Sequence, residues 1–182
     1  MGKFLGVVTR CYKRPAMLGI NKSSLKSQTD PDYEQVFIVD DTGRGIWWAN
    51  RSLEENKHRV HGEYIYILDD DTCLIVNNFI RVVKQVARKH NPDVILFKIR
   101  RPIGIPILPD ERVWGKIPLL GHIDTACFTV KEDIWKKHIK SFGTKGCGDY
   151  HFIKKLYDEK YSFYWLDRIV GRIQRVSQGR PG

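Results

Sequence analysis

Four short apolar runs, spaced along the first hundred residues and separated by segments with helical periodicity, constrain this chain most. They are Phe4-Leu-Gly-Val-Val-Thr9, Val36-Phe-Ile-Val39, Tyr64-Ile-Tyr-Ile-Leu68 and Val94-Ile-Leu-Phe97. Each is too short for a buried helix and too continuous for a half-exposed strand, so each reads as a strand buried on both faces. Between them, Pro15 opens a helix that Ala16 to Leu25 continue, because proline suits a first helical position. Ile46 to Glu55 form a second, amphipathic helix. Phe79 to Lys89 form a third, with Phe79, Ile80, Val82, Val83 and Val86 on its apolar side. Alternating strands and helices of this kind predict an α/β fold: a mostly parallel central sheet with helices on both faces and right-handed crossovers. Ligands of such sheets bind outside the carboxyl ends of the strands.

The second half is less regular. Residues 102–118 hold four prolines and read as a long loop or edge region. Thr125 to Val130 and Phe163 to Leu166 read as strands. Lys131 to His138 and Asp149 to Tyr157 read as helices. The end of the chain, Gly171 to Gly182, is basic through Arg172, Arg175 and Arg180. No repeat or domain boundary is visible. Residues 1–182 are therefore expected to form one domain, with a regular half (1–100) and a less regular half (101–182).

At 182 residues with 42% hydrophobic and 29% charged content, the chain can bury a core and is not a disordered polymer. No apolar run approaches the roughly 20 residues that cross a bilayer, so no transmembrane segment is expected. The apolar start is ended by Arg10, too soon for a signal peptide, and Gly6 breaks the myristoylation pattern that Gly2 begins. Cys11, Cys73, Cys127 and Cys147 form no CxxC pair, which argues for free thiols and a cytoplasmic protein and against a zinc site. The net charge of +10 suits polyanionic partners, including a membrane surface approached through the basic tail.

On so basic a chain the placement of acids is informative. Five of its 21 acidic residues, Asp40, Asp41, Asp69, Asp70 and Asp71, directly follow two strands of the expected sheet. Strands ending at one edge bring these carboxylates together, where they repel unless a cation neutralises them. Hard divalent cations take oxygen ligands, and magnesium is commonly held by one or two carboxylates and substrate phosphates; manganese accepts the same set. Aspartates also end strands and cap helices for purely structural reasons, a reading that fits Asp40-Asp41 better than three aspartates in a row.

The segments Val7-Val8-Thr9-Arg10-Cys11-Tyr12-Lys13-Arg14-Pro15, Phe37-Ile38-Val39-Asp40-Asp41 and Gly62-Glu63-Tyr64-Ile65-Tyr66-Ile67-Leu68-Asp69-Asp70-Asp71 resemble, in order and spacing, family 2 glycosyltransferases with the GT-A fold. The resemblance covers residues 4 to 80 and thins afterwards. It implies a donor site for a nucleotide-diphosphate sugar of the UDP or GDP type. Thr9, Arg10 and Tyr12, with the nearby Arg14, would line the base pocket and donor site. Asp40, beside Asp41, would accept a hydrogen bond from the base. Asp69 and Asp71 resemble the outer members of the DxD motif: Asp69 near ribose and metal, Asp71 on a Mn2+ or Mg2+ ion, and Asp70 in the variable middle position. Gly146-Cys147-Gly148-Asp149-Tyr150-His151-Phe152 is similar to the segment carrying the catalytic base, and gives that role to Asp149. The family's usual preceding acid is Gly148 here, and no histidine follows His151 to complete a metal shell.

The expected activity is metal-dependent, inverting transfer of a sugar to an acceptor hydroxyl. Arg172, Arg175 and Arg180 could close over the diphosphate. Trp114, His122, Asp124 and Tyr150 are the acceptor-binding candidates, although Trp114 and His122 have ordinary packing roles open to them. Of Trp47 and Trp48, one is expected in the core. A nucleotidyltransferase is disfavoured because Thr9-Arg10-Cys11-Tyr12 lacks a glycine-rich phosphate loop. The remaining alternatives are a catalytically degenerate nucleotide-sugar binder and a basic nucleic-acid-binding module, though no nucleic-acid motif is present. The acceptor itself (glycan, lipid-linked sugar, protein or modified base) is not readable from the sequence.

Overall fold

The computed structural model describes residues 2–143 and 146–174. Strand β1 (Leu5–Cys11) lies between β2 (Tyr33–Val39) and β3 (Tyr64–Ile67), parallel to both. Helix α1 (Pro15–Lys26) links β1 to β2, and α2 (Gly45–Glu55) follows β2. A three-residue strand, β4 (Thr72–Leu74), precedes α3 (Phe79–His90) and β5 (Val94–Arg100). Then come β6 (Phe128–Lys131), α4 (Glu132–His138), α5 (Gly148–Asp158) and β7 (Phe163–Ile173). All seven strands join one sheet in the order β2-β1-β3-β6-β5-β7-β4.

Five strands run one way, and only β6 and β4 run against them. The sheet is therefore mostly parallel, as the apolar runs imply. The strands of residues 1–100 and 101–182 interleave, because β6 and β7 each lie between strands of the first half. The last strand is much longer than Phe163 to Leu166. Its pairing with β5 slips at Phe97/Lys98 and Lys98/Ile99, and its far end pairs with β4. Residues 102–118 form no strand or helix beyond an isolated bridge between Ile99 and Leu108.

The core follows from periodicity. Helix α3 buries Phe79, Ile80, Val83, Val86 and Ala87 on one face. Phe79 packs against Tyr66 and Phe97 with ring centroids 5.2 and 4.9 Å away. Strand β1 is held close to the turn before β3: a Cβ on Gly6 would lie 2.4 Å from the His61 carbonyl oxygen, so only glycine fits. The hydrogen-bond ladder continues past the strands, Leu68 N–H to Val8 (2.9 Å), Asp70 N–H to Arg10 (3.2 Å) and Asp40 N–H to Cys11 (2.9 Å). This brings the ends of β2, β1 and β3 to one rim, with the acidic turns on it. Among the described residues no helix is long and apolar enough to cross a membrane.

Candidate active site

The turn Asp69-Asp70-Asp71 is clamped from inside and outside. Beneath it, Asn21 of α1 is fully buried, and its side-chain amide donates to the carbonyls of Leu68 (3.2 Å), Asp69 (3.0 Å) and Thr72 (2.9 Å). Gln35 secures Asn21 by donating to its side-chain oxygen at 2.9 Å. Above it stand two arginines. Arg10 grips Asp69 through Nε at 2.7 Å and Nη2 at 2.5 Å, and donates through Nη1 to Asn50 of α2 at 3.1 Å. Arg14 pairs with Asp70 and with Asp71, each at 2.5 Å.

Asp124 and Asp149 complete the cluster. Asp124 accepts from the Ala126 N–H at 3.0 Å, closing a short turn before β6. Burial, with the charges of Asp69 and Asp71, raises its pKa. Asp149, half-buried in the first turn of α5, is pushed up to about 6 by burial and by Asp124. Burial likewise pushes Asp70 up to about 6. Burial opposes the Arg10 charge, but Asp69, Asp124 and Asp71 outweigh it and raise its pKa. Carboxylates from β3, the segment before β6 and α5 thus converge on Arg10 and outnumber the two arginines. Such surplus negative charge is what a hard cation or a donor's cationic partner neutralises.

Among the described residues no three histidine, cysteine or acidic side chains are arranged to chelate a metal ion by themselves. Asp69 and Asp71 still fit the minimal set for magnesium or manganese, in which phosphate oxygens and water supply the other positions. Asp71 has capacity to spare, since its Oδ1 meets only the Thr72 hydroxyl at 3.3 Å.

Several expected contacts change role. Thr9 is fully buried, and its hydroxyl accepts from Gln35 at 2.8 Å, so its side chain packs under the sheet rim. Asp70 is also fully buried. It accepts from the Tyr12 N–H at 2.9 Å and pairs with Arg14, which makes it a brace between the β1 and β3 ends. Asp40 is buried and closes its own turn, accepting from Thr42 N–H and Gly43 N–H at 3.0 Å and Arg44 N–H at 2.9 Å. Burial raises its pKa, but these amides outweigh it and leave the carboxyl low. Asp41 beside it is exposed. Tyr12 leans on that turn: Gly43 has φ +71, and a Cβ there would come 2.3 Å from the Tyr12 hydroxyl. Tyr12 and the Asp40 turn therefore form adjoining walls at the strand ends.

The acceptor candidates divide. Asp124 joins the acidic cluster. Tyr150 follows Asp149, its N–H donating to Asp149 Oδ1 at 2.8 Å. Asp149 is not the N-cap of α5; Cys147 holds that position. Trp114 and His122, in the segment between β5 and β6, have partners of their own. Trp114 packs edge-on against Trp165 at 5.2 Å under Lys98. His122 pairs with Asp110 at 2.6 Å; burial raises Asp110, but Arg112 and His122 bring it down to about 2. These contacts brace the long loop. Trp48 is half-buried beneath Arg44 at 3.9 Å and packs against the core, whereas Trp47 is 44% exposed. Arg172 is an exposed residue of β7; Arg175 and Arg180 lie outside the described residues. Sequence reasoning missed Asn21 and Asn50, whose only signal is an asparagine on the inner face of a helix.

The chain is therefore an α/β fold with a mostly parallel, seven-stranded sheet and acidic turns at its carboxyl rim. No family model matches the chain, and no curated protein matches its sequence. Among solved structures it is similar to TarS from S. aureus. The TarS 1–349 structure in complex with UDP-GlcNAc aligns with a TM-score of 0.74 at 13% identity, covering 97% of this chain and 60% of that one. The same fragment in complex with UDP aligns at 0.69 and 14% identity, over 95% and 60%. A longer TarS structure aligns at 0.71 and 14% identity, over 95% of this chain and 37% of that one. The chain thus spans at most about three fifths of these relatives, and the likeness shows the fold.

Proposed function

We propose that this chain is a glycosyltransferase that binds a nucleoside diphosphate sugar at the carboxyl rim of the sheet and moves the sugar to an acceptor hydroxyl with inversion. The observation that carries the reading is the convergence of Asp69, Asp71, Asp124 and Asp149 on Arg10, in a fold whose relative TarS has been solved with UDP-GlcNAc. Tyr12 and the Asp40 turn flank the nucleoside. Asp69 and Asp71 would hold a Mn2+ or Mg2+ ion if one binds, and Arg10 and Arg14 stand beside them. That ion supplies neutralisation of the departing diphosphate.

Asp149 is the general base. It sits beside Asp124 with its pKa raised to about 6, close enough to neutrality to hold and release a proton efficiently. The acceptor oxygen attacks the anomeric carbon as its proton passes to Asp149. The bond from that carbon to the diphosphate oxygen breaks, and the nucleoside diphosphate leaves with the electron pair. Charge separation of this kind resembles the oxocarbenium-like path of glycoside hydrolysis.

The test is a thermal-shift panel of nucleotides and nucleotide sugars with and without manganese, since ligands of the native state raise its melting temperature. We expect metal-dependent stabilisation by UDP or GDP compounds, abolished in Asp71→Ala. Asp149→Asn should keep that stabilisation and lower release of nucleoside diphosphate from the donor by about 10²-fold or more. A chain that no nucleotide stabilises overturns the reading; full turnover in Asp149→Asn removes Asp149 from the base role.

A further inference from the structure

The segment between β5 and β6 has a surface unlike the rest of the chain. Ten large apolar side chains are exposed among the described residues, and five of them, Ile103, Ile105, Ile117, Leu119 and Leu120, fall within this one segment. Ile103 is 92% exposed and Leu120 57%. An exposed apolar set this concentrated marks a contact surface.

Topology places it beside the site. Strand β5 runs with β1 and β3, and β6 runs back against them, so the segment leaves and re-enters the sheet at the rim carrying Asp69-Asp70-Asp71. Asp124, near its end, is already an electrostatic neighbour of Asp69 and Asp71.

Away from the acidic cluster, exposed cations lie on and beside this segment. Arg100, at the end of β5, is exposed and in register with the exposed Arg172 of β7. Like charges facing each other across a sheet repel unless an anion joins them. Lys116 is exposed within the segment. None of these three has an ion pair among the described residues, whereas Asp110 pairs with Arg112 and His122, Glu111 meets Lys98, and Asp124 belongs to the acidic cluster.

We infer that this rim docks on an anionic lipid bilayer, with Ile103 and Leu120 entering the headgroup boundary and Arg100, Arg172 and Lys116 meeting lipid phosphates. Interfacial binding needs this combination of apolar tips and cations. A nucleic acid would satisfy the cations and leave the five apolar side chains in water. A second copy of this chain, itself carrying +10, would bring like charges face to face.

The test is co-sedimentation of the full chain with vesicles of phosphatidylglycerol and phosphatidylcholine in equal parts, against phosphatidylcholine alone, without nucleotide. We expect binding to the anionic vesicles only, weakened at about 0.5 M salt, where screening is short-ranged. Ile103→Ser with Leu120→Ser should lower partitioning at least about tenfold, and Arg100→Gln about fivefold. Both sites are exposed, and circular dichroism checks that the variants fold. Nucleotide-induced thermal shifts should be unchanged in these variants, so this surface and the donor site succeed or fail separately. Equal binding to neutral vesicles, undiminished binding by the double variant, or no binding at all overturns the proposal. So does a dimer in solution that the double variant dissociates.

Discussion

Asn21 sits in the middle of α1 on the face turned to the sheet, where helix propensity and burial would both favour an apolar residue. Its amide caps three carbonyls at the start and end of the acidic turn, and its oxygen is held by Gln35. Removing it takes a donor from each of these carbonyls and an acceptor from the Gln35 amide, which keeps Thr9, while the Asp69 carbonyl keeps the Thr72 N–H; a buried polar group left unpaired costs about 1–3 kcal/mol. Asn21→Leu is therefore expected to lower unfolding free energy by about 2–4 kcal/mol in urea titration, allowing for partial relaxation. It should also weaken metal-dependent nucleotide binding, because the turn carrying Asp69 and Asp71 loses its floor. A variant as stable as the parent would mean that the arginines above the turn hold it unaided.

At the scale of elements, the site depends on how α5 docks. Its first residue, Gly148, lies so close to the turn at Ile139–Phe142 and to α2 that a Cβ would be 2.7 Å from the Phe142 carbonyl oxygen and 2.8 Å from Asn50 Nδ2. Gly148→Ala must push the start of α5 outward and carry Asp149 with it. Overpacking of this kind costs about 1–3 kcal/mol. We expect a lower melting temperature, and a fall in nucleoside diphosphate release larger than the fall in donor affinity; equal losses would place the effect on folding alone. The sequence reveals such elements unevenly. Helix α3 is legible because its buried residues recur at helical spacing. Strand β4 is not, since three residues with β7 as their one strand partner carry no periodic signal, and the reversed direction of β6 is set by partners distant in sequence. The acidic turn after β3 was readable as a chemical cluster. The burial of Thr9 and Asp70 was not, because it arises from Gln35 and Arg14 reaching them across the fold.

Across the whole molecule, the crowded carboxylates leave a mark on the pH dependence of stability. Burial and the charge of Asp124 push Asp149 up to about 6, above the roughly 3.9 of an unfolded aspartate. Between those values the folded chain binds more protons than the unfolded one, so this group's contribution falls as pH rises from about 4 to about 6 and stays unfavourable above. Asp70, raised to about 6, acts in the same direction. Asp110, brought down to about 2, acts oppositely: its stabilisation is present above about 4 and is lost as pH falls towards 2. Burial depresses His138, whose contribution is present above 6.5 and lost as pH falls through its lowered folded value. These background slopes cancel to first order when Asp149→Asn is compared with the parent, because asparagine mimics the protonated acid and can still accept from the Tyr150 N–H. The variant should match the parent near pH 4 and exceed it by about 1–3 kcal/mol at pH 7, with the crossover developing between pH 4 and 6. Urea titrations at three pH values decide it: a stability difference independent of pH would mean that Asp149 is ionised without penalty and is not poised as a base.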